Sequence, residues 1–174
     1  SARDPDYSTR EDLLRAAETI ARLGRPGYQI TLYGGEPTLH PHFLDLLGYM
    51  AASEAPLAMR MYTNGSRSAA FFGDVVRTAG RFPFGVIFSL HEAFANFERF
   101  RRNVEIVAEG GLAVCVSLMF DPQHRDTARR QIESMLELRA RLPFFASLNL
   151  PYTRSGEMGG GCTKEDLAWL HQAR

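Results

Sequence analysis

The sequence predicts an α/β protein in which parallel strands and helices alternate, as a single domain over residues 1–174. Short apolar segments of strand length alternate with segments of helical periodicity, at intervals of roughly 30 residues. Glycines or prolines separate most of these segments, and no linker of disordered composition divides the chain. The pattern is typical of right-handed crossovers between about five parallel strands, in a sheet that we expect to be buried on both faces.

The helices are predicted from their capping residues and their apolar spacing. Residues 8–11, Ser-Thr-Arg-Glu, have the pattern of a capping box, and the helix that they begin stops near Gly24. Further helices are predicted over residues 41–52, 69–79, 94–109 and 125–141, and a last one begins at Thr163. The helix at 41–52 would begin with Pro41, because proline is tolerated in a first turn.

The strands are predicted as short apolar runs, each ended by turn residues. They cover residues 28–33, 57–62, 84–89, 112–119 and 144–150. Residues 153–161 combine glycine with small polar residues and are predicted to form a loop.

Composition excludes several classes of function. The chain has 20 basic and 20 acidic residues, so there is no excess positive charge for nucleic acid or an anionic membrane. The longest apolar stretches are well short of the roughly 20 residues that cross a bilayer. The 2 cysteines form neither a disulfide framework nor a metal quartet, which indicates a cytoplasmic setting.

Polar residues gather just after the carboxyl ends of the predicted strands. Ligands bind at that edge in parallel α/β proteins, because the loops converge there and helix amino termini face it. Each of these residues alone is explained equally well as a turn or cap residue, but together they favour a site. The group consists of Glu36, Thr63, Asn64, Ser89, His91, Glu92, Asp121, Asn149 and Thr153.

The sharpest feature is the run Gly34-Gly35-Glu36-Pro37. Glycines at a strand end let the backbone approach a ligand and expose its carbonyl groups. A neighbouring carboxylate accepts hydrogen bonds from an ammonium group, so an amino-acid ligand suits the arrangement. On these residues alone, a tight turn with Glu36 in solvent explains the run as well.

Three segments together resemble the radical S-adenosylmethionine (AdoMet) superfamily. The stretch YGGEPTLHP at residues 33–41 resembles the second-strand motif of that family. YTNG at residues 62–65 resembles its third-strand end, and SLHE at residues 89–92 its fourth-strand end. The order and spacing agree over nearly the whole chain.

The resemblance implies a partial TIM-like barrel, a truncated (β/α)6 fold of about five strands, with AdoMet across the strand ends. Gly34, Gly35 and Glu36 match the positions that hold the methionyl amino group, and Pro37 shapes the following loop. Other positions near the ligand are matched by Thr63, Asn64, Ser89, His91, Glu92 and, by spacing only, Asn149.

The main departure from the family is its cysteine motif. Family members carry C-x-x-x-C-x-x-C after the first strand, and these thiolates bind a [4Fe–4S] cluster. Neither the motif nor the first strand is found here. The start at Ser1 and the helix at the far end favour a truncated enzyme, inactive alone, whose parent would form a deoxyadenosyl radical that abstracts hydrogen from a substrate. Loss of the cysteines in a degenerate relative is the alternative.

Other interpretations are weaker. Residues 156–163 have the glycine spacing of a phosphate loop, but Cys162 stands where the lysine is needed. A non-catalytic barrel could bind a small molecule or a partner chain, and the open edge at residues 28–33 predicts a homodimer. His40, His42 and His124 lack the spacing of a zinc site and are expected in solvated turns.

Overall fold

The computed structural model describes residues 7–90, 96–150 and 161–173. Within them, strands and helices alternate as the sequence predicts. The strands are β1 (Tyr28–Leu32), β2 (Leu57–Thr63), β3 (Phe84–Leu90), β4 (Ala113–Met119) and β5 (Phe145–Asn149). The helices are α1 (Arg10–Leu23), α2 (Phe43–Ala52), α3 (Ala69–Ala79), α4 (Phe97–Glu109), α5 (Arg125–Arg139) and α6 (Lys164–Gln172).

The five strands form one sheet in the order β1-β2-β3-β4-β5, and every neighbouring pair is parallel. Sequential order with parallel pairing requires a crossover after each strand, and right-handed crossovers place successive helices on the same side of the sheet. Consecutive helices from α1 to α4 accordingly pack against one another. The predicted α/β fold class is confirmed.

The expectation that both sheet faces are buried is wrong for the described residues. Along β2 and β3, buried residues alternate with half-exposed ones. The buried set faces the helices, whereas the other set, which includes Arg60, Tyr62 and Ser89, forms what we call the open face. The physical reason is the sequential strand order, since every crossover covers the same face.

The core lies between the sheet and the helices. A chain of aromatic contacts crosses it from α3 to α4: Phe72 packs against Phe88 with ring centroids 5.3 Å apart, and Phe88 meets Phe100 edge-to-face at 5.7 Å. All three side chains are fully buried. Because Phe88 directly precedes Ser89, this packing fixes the carboxyl end of β3, where Ser89 lies on the open face.

Two predicted helix starts need correction. Thr9, not Ser8, caps α1, since its side chain accepts a hydrogen bond from the Asp12 amide, while Ser8 Oγ is hydrogen-bonded to His40 Nε2. Helix α2 begins after Pro41, because residues 37–39 form a separate 3₁₀ turn and His42 occupies the cap position. The remaining predicted ends differ by three residues or fewer from the observed ones; Phe94 lies outside the described residues.

At one edge of the sheet, β1 has β2 as its neighbour on one side only. Its first residue, Tyr28, is 53% exposed. Self-association through this edge therefore stays a prediction. Its physical basis is that the outer edge of β1 has no neighbouring strand within the described residues. Among the described helices, none is long and apolar enough to cross a bilayer.

Candidate functional site

A cavity of about 580 Å³ lies at the carboxyl ends of the first three strands. The backbone turn after β1 forms one wall, and the end of β2 forms the next. These elements meet because β1 and β2 are parallel neighbours that end at the same edge of the sheet. The cavity is lined by Tyr33, Gly34, Gly35, Glu36, Tyr62, Thr63, Asn64 and Ser89.

Two glycines shape the wall after β1. Gly34 has φ +102° and Gly35 has φ +55°, values that residues with a side chain rarely adopt. A Cβ atom at either position would have no other atom within 4 Å, so open space surrounds the backbone here. The peptide groups of the turn are consequently accessible to a ligand.

Glu36 joins the turn to the end of β2. Its Oε1 accepts hydrogen bonds from Thr38 N (3.2 Å), Thr38 Oγ1 (2.6 Å) and Thr63 Oγ1 (2.8 Å). Its Oε2 accepts one from Asn64 N (2.7 Å). The two threonines are buried, so the carboxylate satisfies donors that are withdrawn from water. Glu36 is thus a fixed anion in the site wall, which excludes the alternative of a glutamate in free solvent.

Oxygen Oε2 keeps capacity for a further donor. A carboxylate has about four acceptor positions, two on each oxygen. Three protein donors converge on Oε1, but Asn64 N is the one described donor within reach of Oε2. A cationic ligand in the cavity could therefore bind Glu36 without displacing the contacts that hold it.

Two tyrosines add an aromatic wall. The rings of Tyr33 and Tyr62 meet edge-to-face with centroids 5.4 Å apart. Tyr33 is 80% exposed, so its ring is accessible to a ligand in the cavity. Aromatic faces attract cations, so the tyrosines and Glu36 favour the same sign of ligand charge.

The loop after β2 is held from α4 by Asn103. This fully buried side chain donates through Nδ2 to the carbonyl oxygens of Gly65 (3.0 Å) and Arg67 (2.8 Å). Gly65 has φ +67°, and a Cβ there would lie 3.0 Å from the Phe100 ring. Asn103 was missed in the sequence, where it looks like one more polar residue on a helix.

We expect Asn103→Ala to lower the free energy of unfolding by about 1–2 kcal/mol, since two loop carbonyls lose a buried donor. Urea denaturation would measure the change. The exposed Glu98→Ala on the same helix is the control and should change stability by less than about 0.5 kcal/mol. An Asn103 variant as stable as the control would show that the loop does not depend on this side chain.

A row of serines continues the polar surface across the open face. Ser89, Ser117 and Ser147 are register partners on β3, β4 and β5. Asn149 Nδ2 donates to Ser117 Oγ at 2.8 Å. Ser117 and Ser147 were not predicted as site residues. Ser117 lies at a period-2 position within an apolar strand, which is a signal that the residue faces the open side.

The structure brings six of the predicted site residues into one cavity: Gly34, Gly35, Glu36, Thr63, Asn64 and Ser89. Pro37 begins the adjacent 3₁₀ turn. Asn149 lies two strands from Ser89 and donates to Ser117, the register partner of Ser89. His91 and Glu92 lie outside the described residues, as does Thr153.

The described residues do not fit an iron–sulfur cluster. They contain no group of three or more His, Cys, Asp or Glu side chains that could hold a metal ion. Burial raises the pKa of Cys115, against a smaller opposing effect of the Arg60 charge. Burial and the Asp166 charge raise the pKa of Cys162. Iron ligation requires thiolates, so both environments oppose it.

The histidines of the 40–42 turn have other partners. The His42 amide donates to His40 Nδ1 (3.1 Å), and His42 Nδ1 is hydrogen-bonded to Asp45 (3.1 Å). His124 Nδ1 is hydrogen-bonded to Asp121 at 3.0 Å, in the turn that follows β4. His40 and His42 lie in one turn and His124 lies in another, which agrees with the expectation that these histidines belong to turns.

Part of the phosphate-loop segment is described, from Gly161 onward. Thr163 caps α6, and its amide and hydroxyl both donate to Asp166 Oδ2 at 2.9 Å. A carboxylate therefore already occupies the positive end of this helix, where a phosphate would have to bind. The contacts disfavour the nucleotide interpretation; residues 156–160 lie outside the described part.

Comparison with solved structures agrees with the α/β fold class. Five parallel strands in one sheet alternate with helices, as in the barrels of radical AdoMet enzymes. The chain is similar to anSMEcpe, a radical AdoMet enzyme, solved with bound AdoMet (TM-score 0.59, 15% identity, 88% of this chain and 47% of that one).

The chain is also similar to the structure of anSMEcpe with AdoMet and a Kp18Cys peptide (TM-score 0.59, 14% identity, 94% of this chain and 53% of that one). It thus spans about half the length of these structures. Likeness at this identity establishes the fold. No family model matches the chain, and no curated protein matches it by sequence.

Proposed function

We propose that the cavity at the carboxyl ends of β1–β3 binds AdoMet through its methionyl ammonium group. The observation that carries the proposal is the fixed Glu36 carboxylate beside the exposed Gly34–Gly35 backbone. An ammonium group has three donors, and carbonyl oxygens with a carboxylate are the acceptors that suit it. The known AdoMet complexes of the same fold support the choice of ligand.

The other chemical groups of AdoMet also find suitable surroundings. A sulfonium carries positive charge, which suits the neighbourhood of Glu36 and the faces of Tyr33 and Tyr62. Ribose hydroxyls both donate and accept hydrogen bonds, as does the Ser89 hydroxyl in the cavity lining. The volume of about 580 Å³ lies in the usual range for small-molecule sites.

For the whole natural protein we propose radical AdoMet chemistry, in which an iron–sulfur cluster held by another part of that protein would supply the one electron that cleaves AdoMet to methionine and a deoxyadenosyl radical, and this radical abstracts hydrogen from a substrate. The described residues contain no cluster ligands, so we expect the 174-residue chain to bind AdoMet without cleaving it. Three cysteines spaced C-x-x-x-C-x-x-C upstream of Ser1 in the natural gene would support this. Without them, the non-catalytic binding barrel would replace it.

Calorimetric titration with AdoMet and with its desamino analogue tests the binding mode. We expect saturable 1:1 binding of AdoMet, and at least about 10-fold weaker binding of the analogue, because hydrogen bonds to a charged group contribute about 1.5–3 kcal/mol. Equal affinities would mean that the ammonium group is not recognised. The absence of any AdoMet binding by the folded chain would contradict the proposal.

A further inference from the structure

A second, larger cavity of about 750 Å³ lies on the open face, nearer the amino ends of the strands. It is distinct from the Glu36 cavity, since the two have no lining residue in common. Its floor is formed by residues from all five strands, among them Gln29, Arg60, Gly85, Ile87, Cys115 and Phe145. We call it the open-face cavity.

Arg60 gives this cavity its charge. The side chain is half-buried in the middle of β2, and its Nε donates to Thr31 Oγ1 at 2.9 Å. A guanidinium has five N–H donors, so this bond uses one of them. No carboxylate within the described residues forms an ion pair with Arg60.

Among the described residues that line the cavity, no negative charge balances Arg60. Arg81 is the other charged residue of this set, which contains no aspartate or glutamate. Nearby positions on the open face are occupied by neutral side chains such as Thr31, Tyr62 and Ile87. A half-buried arginine with unused donors in such surroundings favours an anion, because a planar carboxylate can accept two parallel hydrogen bonds from it.

Gly85 leaves room beside the arginine. It is the register partner of Arg60 on β3 and of Ala113 on β4. A Cβ at Gly85 would lie 3.7 Å from Arg60 Cβ and 3.5 Å from Ala113 O, which is ordinary contact distance. The position thus tolerates a side chain, and a large one would fill the cavity in front of Arg60.

The remaining floor is apolar. Ile87 and Cys115 are register partners, and Cys115 is the partner of Phe145 on β5. Phe145 is 77% exposed and lines the same cavity on β5, three strands from Arg60, while Ile87 lies on the strand next to Arg60. A ligand that matches both parts has an anionic end and a short apolar body.

We propose that the open-face cavity binds the carboxylate of a small amphipathic organic acid through Arg60, with the acid's apolar body against Ile87 and Phe145. This ligand would be the substrate, or the acidic part of the substrate, presented to AdoMet bound at the strand ends. The assignment of the ligand as substrate rests on the proposed function. The anion site itself rests on the surroundings of Arg60 and on the cavity lining.

The test is an NMR titration of the ¹⁵N-labelled 174-residue chain with hexanoate, and with the neutral hexanamide of nearly the same shape. We expect hexanoate to shift the Arg60 Nε–H and Gly85 amide signals saturably, and hexanamide to bind at least about 10-fold more weakly, because it carries no charge. Equal binding of the two compounds, or no binding of hexanoate, would overturn the proposal.

Variants separate the charge from the shape of the cavity. Arg60→Gln should weaken hexanoate binding at least about 10-fold, whereas Arg130→Gln, which removes an exposed arginine on α5, should leave it unchanged. Gly85→Leu keeps the arginine and should also weaken binding, by filling the cavity. Hexanoate binding that survives both Arg60→Gln and Gly85→Leu would place the acid elsewhere.

AdoMet titrations of the same variants distinguish this proposal from the proposed function. Arg60→Gln should leave AdoMet affinity unchanged if the two sites are separate. A loss of AdoMet affinity with no effect on hexanoate would mean that Arg60 binds the AdoMet carboxylate instead, which overturns the acid site. If hexanoate binds through Arg60 but AdoMet does not bind, the proposed function fails and the anion site stands.

Discussion

Glu36→Ala should destabilise the chain by about 2–4 kcal/mol and abolish measurable AdoMet binding. The carboxylate accepts four hydrogen bonds, and its removal leaves donors on the buried Thr38 and Thr63 without their partner. The same change removes the one negative charge among the described residues of the cavity lining. Urea denaturation measures the first effect and calorimetry the second.

Glu36→Gln separates the effect on stability from the effect on AdoMet binding. Its amide oxygen can still accept from the two threonines, but its NH₂ group would face the Asn64 amide, which is also a donor. We expect a smaller loss of stability than for alanine, with AdoMet binding still weakened at least about 10-fold because the charge is gone. The exposed Glu133→Ala on α5 serves as the control for the loss of a surface glutamate. If Glu36→Ala were as stable as this control, the proposed anchoring role would be wrong.

Asp166→Ala should lower stability by about 1.5–3 kcal/mol, because Thr163 and the partly exposed arginines of α5 lose their charged hydrogen-bond partner. Asp166 is fully buried and accepts a hydrogen bond from Arg129 Nη2 at 3.0 Å, and Arg125 Nη2 lies 3.5 Å from its other oxygen. The Arg129 guanidinium also lies over the Trp169 ring, 5.3 Å from its centroid. The cluster therefore attaches α6 to α5, and Asp166 is its centre.

Glu165→Ala is the matched control for Asp166, since the neighbouring Glu165 side chain is 85% exposed and 3.9 Å from Arg129. An exposed pair of this kind contributes at most about 1 kcal/mol. Thermal and urea denaturation of the two variants should differ clearly. Equal stability of the two variants would mean that α6 does not depend on the buried carboxylate.

The same cluster gives stability a defined pH dependence. Desolvation raises the pKa of Asp166, but the hydrogen bonds from Thr163 and the positive charges of Arg125 and Arg129 outweigh it, so the net pKa is lowered. The lowered folded pKa means that this contribution is fully present above the unfolded value of about 3.9 and is lost as the pH falls below it. Asp166→Ala should therefore show a shallower loss of stability in that acidic range than the wild type.

Much of the fold and of the cavity at the strand ends could be predicted from sequence because local signals were strong. Glycines after β1 and the Thr63–Asn64–Gly65 turn after β2 mark strand ends, and parallel neighbours bring such ends together. The role of Glu36 could be predicted only in part. The motif indicates a carboxylate beside a ligand, whereas its four internal hydrogen bonds depend on the 3₁₀ turn at residues 37–39 and on the position of Thr63.

Other features depend on which strand residues face which side. Arg60 and Ser117 lie in the middle of strands, away from the turn residues that mark a site, and their neighbours are set by the register of β1–β5. Because both sheet faces were expected to be buried, the period-2 alternation along the strands was not used to predict which residues lie on the open face. Asn103 was missed for a related reason, since its carbonyl partners lie more than 30 residues away in the chain.

We propose that AdoMet binds at the strand ends around Glu36. Mapping amide chemical shifts of the ¹⁵N-labelled chain during AdoMet titration tests it most directly. We predict that the largest saturable changes fall on Gly34, Gly35, Asn64 and Ser89, and that Glu36→Gln reduces them. Saturable changes confined to other surfaces, such as α6 or the open-face cavity, would contradict the claim, as would the absence of any change.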